Sequence, residues 1–351
     1  MAIPRGSIAA TAFPTRARRC STLRAPLLAK GAAAGDGARS GLRYTGPMQT
    51  HDRAWERYFV ATGYPAARPP AAGIEGAVYR LGRARVGKLW ARRSVAELAL
   101  LQRAYRDIAE QAPPFATPAI LELVAVRGVP VTIERELPGR PLWEVVREGD
   151  PALAPAARRC ISGVLAGLAR MRATAPLRRL AVRDEARPLW RGHAEWGAAL
   201  AALVDRRVAR FGGQLRRRVA DFDALHAGVA RALRALAVPA PALVHGDLVP
   251  ANILVDDALR PVAVLDFGFL STTGDPTFDA AIAAAITDMY GPHARAIEAH
   301  LDGADVADQG HDRARLRLYK AAYAIVTSNV FDPAGEDGHT AWCADLLGRG
   351  R

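Results

Sequence analysis

Residues 243–268 constrain the fold of this chain more than any other stretch. Leu243-Val-His-Gly-Asp-Leu-Val-Pro-Ala-Asn-Ile-Leu-Val255 and Val262-Ala-Val-Leu-Asp-Phe-Gly268 contain apolar strand-like runs that each lead into polar residues. Asp247 and Asn252 stand five positions apart on a loop leaving the first run, and Asp266 ends the second after a turn at Asp256-Asp257. Paired as a hairpin, the two runs bring all three polar tips to one end. A carboxylate there can accept a hydroxyl proton. An amide oxygen and a second carboxylate suit Mg²⁺, a hard cation that needs few protein ligands when phosphates supply the rest. Residue type, spacing and strand context agree, which three ordinary turn residues would not require.

The segment resembles the aminoglycoside phosphotransferase and choline kinase group of small-molecule kinases, relatives of protein kinases with the pattern His-Gly-Asp-x-x-x-x-Asn and an Asp closing the next strand. The resemblance implies an α+β, bilobal protein-kinase-like fold, with a small β-rich N-lobe and a larger, mainly helical C-lobe. It implies Asp247 as catalytic base, Asn252 and Asp266 as Mg²⁺ ligands, and ATP or GTP as donor to a hydroxyl of a small molecule. His245 is expected to brace the loop by hydrogen bonding. Asp279 aligns with the acid that braces the catalytic loop in the family; it could equally favour the N-terminus of the helix opening at Gly274-Asp-Pro-Thr-Phe-Asp279, where Asp275 is a candidate N-cap. Val249 replaces the second His of many relatives and Ala251 a Gly, both in the wall facing the acceptor.

Upstream, Ala77–Leu81 and Arg85–Trp90 read as strands turned at Gly82, and the Gly73–Gly76 loop either covers phosphates or is an ordinary turn. Gly82-Arg-Ala-Arg-Val-Gly-Lys88 approaches a P-loop, but Leu89 follows where a hydroxyl must reach the metal, and the residues continue as a strand. By the resemblance Lys88 is the strand lysine that reaches the nucleotide phosphates. Ser94-Val-Ala-Glu97 is a capping-box signature, and Glu97 leads a stripe with Leu101, Ala104 and Ile108. Glu97 can cap its helix or pair with Lys88, and the pair is the expectation, because a buried acid is rarely left without a cation. Ala119–Val126 and Val129–Ile133 form a second hairpin, leading to an interlobe hinge near Glu134–Leu137 where the resemblance puts adenine.

The division expected is a dispensable leader, 1–47, a nucleotide-binding lobe, 48–134, and a catalytic and acceptor-binding lobe, 135–351. The 351 residues carry a formal charge of +13, and residues 1–47 hold eight Lys/Arg against Asp36 alone. That segment is rich in Ala, Gly, Ser and Arg without periodicity, as in a disordered or transit-like tail, and Met48 is an alternative start. Arg178, Arg179, Arg183, Arg187, Arg191, Arg206, Arg207, Arg210, Arg216, Arg217 and Arg218 lack interleaved aromatics and read as solvating long helices, so no nucleic-acid partner is expected. No run of about 18 apolar residues free of charge exists, so no membrane span is expected. The three cysteines lie far apart, which fits a reducing cytoplasm.

Helical stretches are predicted at 152–174, 194–211 and 214–236, and again at 292–301, 311–330 and 338–347. Only Phe269-Leu-Ser-Thr-Thr273 separates Gly268 from Gly274, and no Ala-Pro-Glu follows, leaving no room for a peptide-docking activation segment. A small acceptor is therefore expected. A nucleotide-binding regulatory pseudokinase is the alternative, although Lys88, Asp247, Asn252 and Asp266 are all retained. The arginine-rich 178–218 region favours a neutral or singly charged acceptor, with Asp332, Glu336, Asp337 and His339 as its candidate contacts.

Overall fold

Apolar side chains alternate with others through 76–90, and a strand must then bury one face. β2 (Gly76–Gly82) and β3 (Arg85–Trp90) pair antiparallel, with Val78 opposite Lys88. The computed structural model describes residues 53–64, 68–73, 76–147, 154–172, 174–238, 240–291 and 294–349. The leader, Met48 and positions 74–75 of the Gly73–Gly76 loop lie outside these residues, as does Cys20.

α1 (Arg53–Ala61) precedes the sheet, β1 (Arg68–Gly73) pairs with β2, and α2 (Val95–Ala109) separates β3 from β4 (Ile120–Val126) and β5 (Val129–Arg135). The strand order is β1-β2-β3-β5-β4, all neighbours antiparallel. Phe59 of α1 closes one face over Tyr79, Leu81, Leu89, Val131 and Ile133. Lys88, next to Leu89 in the strand, points to the other face. There Trp90 and Ile120 join Leu98, Leu101, Ala104, Tyr105 and Ile108 of α2, so the predicted stripe is buried.

The chain then runs through β6 (Arg140–Pro141), α3 (Leu142–Arg147), α4 (Ala154–Ala169) and α5 (Ala175–Arg179) into α6 (Trp196–Arg218) and α7 (Phe222–Arg234). The break predicted at 212–213 is absent, and α6 continues through Gly212-Gly213 to Arg218. A glycine in a helix interior costs only about 1 kcal/mol, and Val208 and Leu215, buried on either side, hold α6 together. The helix stops instead before Asp221, whose φ of 45° is left-handed. Likewise α9 (Ala294–Gln309) passes Gly303 and outruns its predicted end.

β7 (Ala242–Val244) does not join the predicted hairpin. It pairs with β10 (Thr272–Gly274), while the hairpin is β8 (Ile253–Val255) with β9 (Pro261–Val264), turned through Asp256-Asp257 and flanked by β6. α8 (Thr277–Ile286), buried at every residue, packs on α9 and α10 (Arg313–Thr327), and α11 (Gly338–Gly348) packs on α10. A small antiparallel sheet thus precedes a larger helical region, an α+β, protein-kinase-like, bilobal fold. Among the described residues no helix is long and apolar enough to cross a membrane, and Cys160 and Cys343 are buried free thiols.

Most arginines of the 178–218 region are exposed as expected, including Arg179, Arg187, Arg191, Arg210, Arg216, Arg217 and Arg218, while Arg178, Arg183 and Arg207 have specific partners. Arg207, with its side chain 1% exposed, pairs with Asp184 and Glu185 and donates to Asn329, while Arg178 lies 4.3 Å above the Trp190 ring and Arg183 4.7 Å above Phe269. Aromatic and acidic partners distant in sequence engage these three groups, of which Arg207 is buried.

Candidate active site

A cleft of about 340 Å³ brings together Lys88, Asp247, Asn252 and Asp266, although three separate segments carry them. Asp247 follows β7. Asn252 ends the 3₁₀ turn Pro250–Asn252, where its side-chain N–H donates to the Asp247 carbonyl at 2.9 Å, so that Oδ1 is the atom that could hold a metal. Asp266 follows β9 with a φ of 51°, a left-handed conformation that Asp tolerates better than most residues. Phe267 fixes that turn, because it is buried and its ring meets those of His245 and Tyr105.

Lys88 Nζ lies 3.3 Å from Glu134 Oε2 and 3.0 Å from Asp266 Oδ1. Burial opposes the ammonium, but Glu134 and Asp266 outweigh it and hold its pKa well above the ordinary lysine value. Asp266 is held below the usual carboxylate range, first by Lys88 acting against burial. The Asp266 side chain remains 57% exposed, so it stands open to the cleft.

The expected Lys88–Glu97 pair does not form among the described residues. Glu97 Oε2 accepts from the Ser94 main chain and hydroxyl, both at 2.7 Å, while the Glu97 N–H donates to Ser94 Oγ, a complete capping box. A local cap within one turn satisfies the carboxylate, and the cross-strand Glu134 takes the place at Lys88. Glu134 also accepts from Thr132 Oγ1, which in turn accepts from Trp90 Nε1. A partial signal for it was in the sequence: Thr132 and Glu134 are polar at alternate positions of a strand otherwise apolar up to its terminal Arg135, on the face where Lys88 opposes Thr132.

The loop before Asp247 is held from below. Asp279 accepts from the N–H groups of His245 (2.7 Å) and Gly246 (2.8 Å), so of its two readings the bracing one describes its contacts. Burial pushes its pKa up to about 7, against the lowering effect of those two donors. His245 Nδ1 accepts from the Asp247 N–H, which makes Nε2–H the donor to the Leu265 carbonyl. Burial lowers its pKa to about 4, leaving a neutral imidazole that ties the Asp247 loop to the strand ending at Asp266. Ser271, which the sequence reading missed, joins the same loops: its hydroxyl donates to the His245 carbonyl and accepts from the Gly268 N–H. Gly246 has a φ of +77°, and a Cβ there would come within 2.4 Å of Leu270.

Asp275, the candidate N-cap, accepts from the Thr277 N–H and also from Tyr319 and Arg315. Of the four candidate acceptor contacts only His339 lines the cleft. Asp332 folds its own loop by accepting from the N–H groups of Ala334 and Glu336, Glu336 faces Arg217 and Arg218, and Asp337 caps α11. The cleft wall instead includes Val249, Phe269, Met289, Tyr323 and Phe331, apolar positions without a spacing that marks them in sequence.

The Asp279 geometry makes a prediction. In Asp279→Asn one carboxylate oxygen becomes an amide facing a backbone N–H, leaving a buried donor without an acceptor, at about 1–3 kcal/mol. Thermal unfolding should show that loss, and turnover should fall more than Mg-nucleotide affinity. An unchanged melting temperature and turnover would remove Asp279 from the brace.

The model of the phosphotransferase enzyme family (APH) matches residues 66–319. A search of curated protein sequences finds no match. Among solved structures, aminoglycoside phosphotransferase APH(3'')-Id from Streptomyces rimosus ATCC10970 is 18% identical, with 85% of this chain and 98% of that one covered at a TM-score of 0.54. Macrolide 2'-phosphotransferase MphH from Brachybacterium faecium is 21% identical, with 84% and 97% covered at 0.51. The GDP complex of aminoglycoside 2'-phosphotransferase-IIIa is 12% identical, with 85% and 98% covered at 0.54. At these identities the structures speak for a common fold, and the family match covers most of the chain. The four polar residues of the cleft therefore stand within a known enzyme framework: the chain belongs to the phosphotransferase enzyme family.

Proposed function

We propose that the protein transfers the γ-phosphate of ATP or GTP to a hydroxyl group of a small molecule. The observation that carries this reading is the convergence of Lys88, Asp247, Asn252 and Asp266 on one cleft. Similar structures hold ADP with streptomycin, or GDP with kanamycin, which supports a nucleotide donor and a hydroxylated acceptor here. The oxygens of Asn252 and Asp266 suit Mg²⁺. Phosphates and water would complete the coordination of such an ion. When bound, Mg²⁺ supplies charge neutralisation at the phosphates.

In this reading Lys88 contacts donor phosphate oxygens while Glu134 keeps its ammonium in place. Asp247 accepts the proton of the attacking hydroxyl and orients it in line with the phosphorus, as positioning and proton removal require. The neutral His245 and the Asp279 brace hold the loop, so that Asp247 and Asn252 move as one unit.

The test is release of ADP from ATP or GDP from GTP, coupled to identification of a phosphorylated alcohol, with chelation of Mg²⁺ expected to stop both. Asp266→Ala should weaken Mg-nucleotide binding by about 10–100-fold, because it removes both a metal ligand and a Lys88 partner. Nucleotide affinity unaltered by Asp266→Ala would remove it from the metal site.

A further inference from the structure

The wall of the cleft beyond Asp247 rests on the proposed phosphotransfer and narrows its substrate. Val249, Phe269, Met289, Val330 and Phe331 line it, and its remaining polar groups there, the hydroxyls of Tyr323 and Thr327 and the imidazole of His339, are uncharged. His339 is fixed on several sides: Nδ1 lies 3.0 Å from the Tyr290 hydroxyl, Nε2 lies 3.3 Å from Thr327 Oγ1, and the ring stacks on Trp342. Burial lowers its pKa to about 4, so it brings no charge to the cleft near neutrality.

Phe331 stands edge-on to this fixed ring, with centroids 5.3 Å apart, yet is 57% exposed. Tyr290, whose hydroxyl meets His339 Nδ1, is 65% exposed. Single exposed apolar residues are ordinary. Here one of two neighbouring exposed aromatics continues an apolar cleft wall and is backed by an immobilised imidazole. Such a surface gains by taking apolar matter out of water.

A polycationic acceptor would find little in exchange for its hydration. The carboxylates lining the cleft are Asp247 and Asp266. The first is needed at the hydroxyl and the second at the metal and Lys88. Asp332, Glu336 and Asp337 are engaged in loop and cap contacts.

We propose that the acceptor is an uncharged alcohol with a sizeable apolar body, which lies against Phe269, Met289, Val330 and Phe331 while its hydroxyl meets Asp247. The class follows from the lining: a row of apolar side chains ends at one proton acceptor.

The experiment gives the full chain, with Mg-ATP or Mg-GTP, three sets of alcohols: uncharged with an apolar body, uncharged polyols without one, and polyammonium alcohols. Formation of phosphorylated product is measured, together with binding of a fluorescent nucleotide analogue. The apolar-bodied set is expected to lead by about tenfold or more in kcat/KM, and Phe331→Ala to raise KM for its best member about tenfold, with a smaller change in kcat. Phe331 is exposed on a loop, so its replacement does not threaten folding. Equal or better use of polyols or polyammonium alcohols, or a KM indifferent to Phe331→Ala, overturns the acceptor class and leaves phosphotransfer standing. Nucleotide binding with no phosphorylated product from any set overturns the phosphotransfer reading itself, and the acceptor class with it.

Discussion

Asp247→Ala is expected to reduce phosphoryl transfer by about 10²–10⁴-fold, the range for removing a positioned general base, while Mg-nucleotide binding survives. The geometry separates the two effects. Asn252 is oriented by the main-chain carbonyl of Asp247, which the substitution retains. The loop itself is held through the backbone N–H groups of His245 and Gly246 by Asp279, and through the Asp247 N–H by His245. Removing the carboxylate takes from Asn252 only a 3.5 Å contact with Asp247 Oδ2 and leaves its shorter main-chain bond and the loop in place. Single-turnover phosphorylation and nucleotide titration, made on the same preparation, check the two halves. Turnover near wild type would sink the base assignment, and loss of nucleotide affinity equal to that of Asp266→Ala would move Asp247 from the acceptor to the metal.

Sequence made the polar centre legible because a phosphotransfer site concentrates its chemistry in one short block. Asp247, Asn252 and Asp266 all fall within 20 positions, so spacing and strand context constrain them together. The counter-ion of Lys88 is different, since it depends on strand register. Glu97 looked suitable by its helix face, but a local capping box satisfied it first, and only the β3–β5 pairing puts Glu134 beside Lys88. The strand before Asp247 shows the same limit. β7 is apolar enough to pair anywhere, and its partner proved to be β10, beyond the hairpin. The end of α6 differs from the predicted 211 because packing around the helix carries it through Gly212-Gly213, at a small intrinsic penalty. The cleft wall was least legible: Phe269, Met289, Tyr323 and Phe331 come from four separate segments, and an isolated apolar or aromatic residue carries no mark of the surface it will line.

Lys88→Met should have the largest effect on stability. Glu134 is 2% exposed, and its cation is Lys88, itself only 17% exposed. Truncating one partner of a buried pair leaves the other charge uncompensated, at about 3–5 kcal/mol. Thr132 would remain as a hydroxyl donor to Glu134, which offsets part of that cost but supplies no charge. Activity should be lost as well, because the same ammonium is assigned to the phosphates. A stability loss alone could be mistaken for the cause of inactivity, and the double variant Lys88→Met/Glu134→Gln separates the two. It removes both charges, so it should recover a large part of the melting temperature lost in the single variant, and it should remain inactive. Activity returning with stability would mean that Lys88 serves only the fold. A double variant no more stable than Lys88→Met would mean that the buried Glu134 was never the source of the loss.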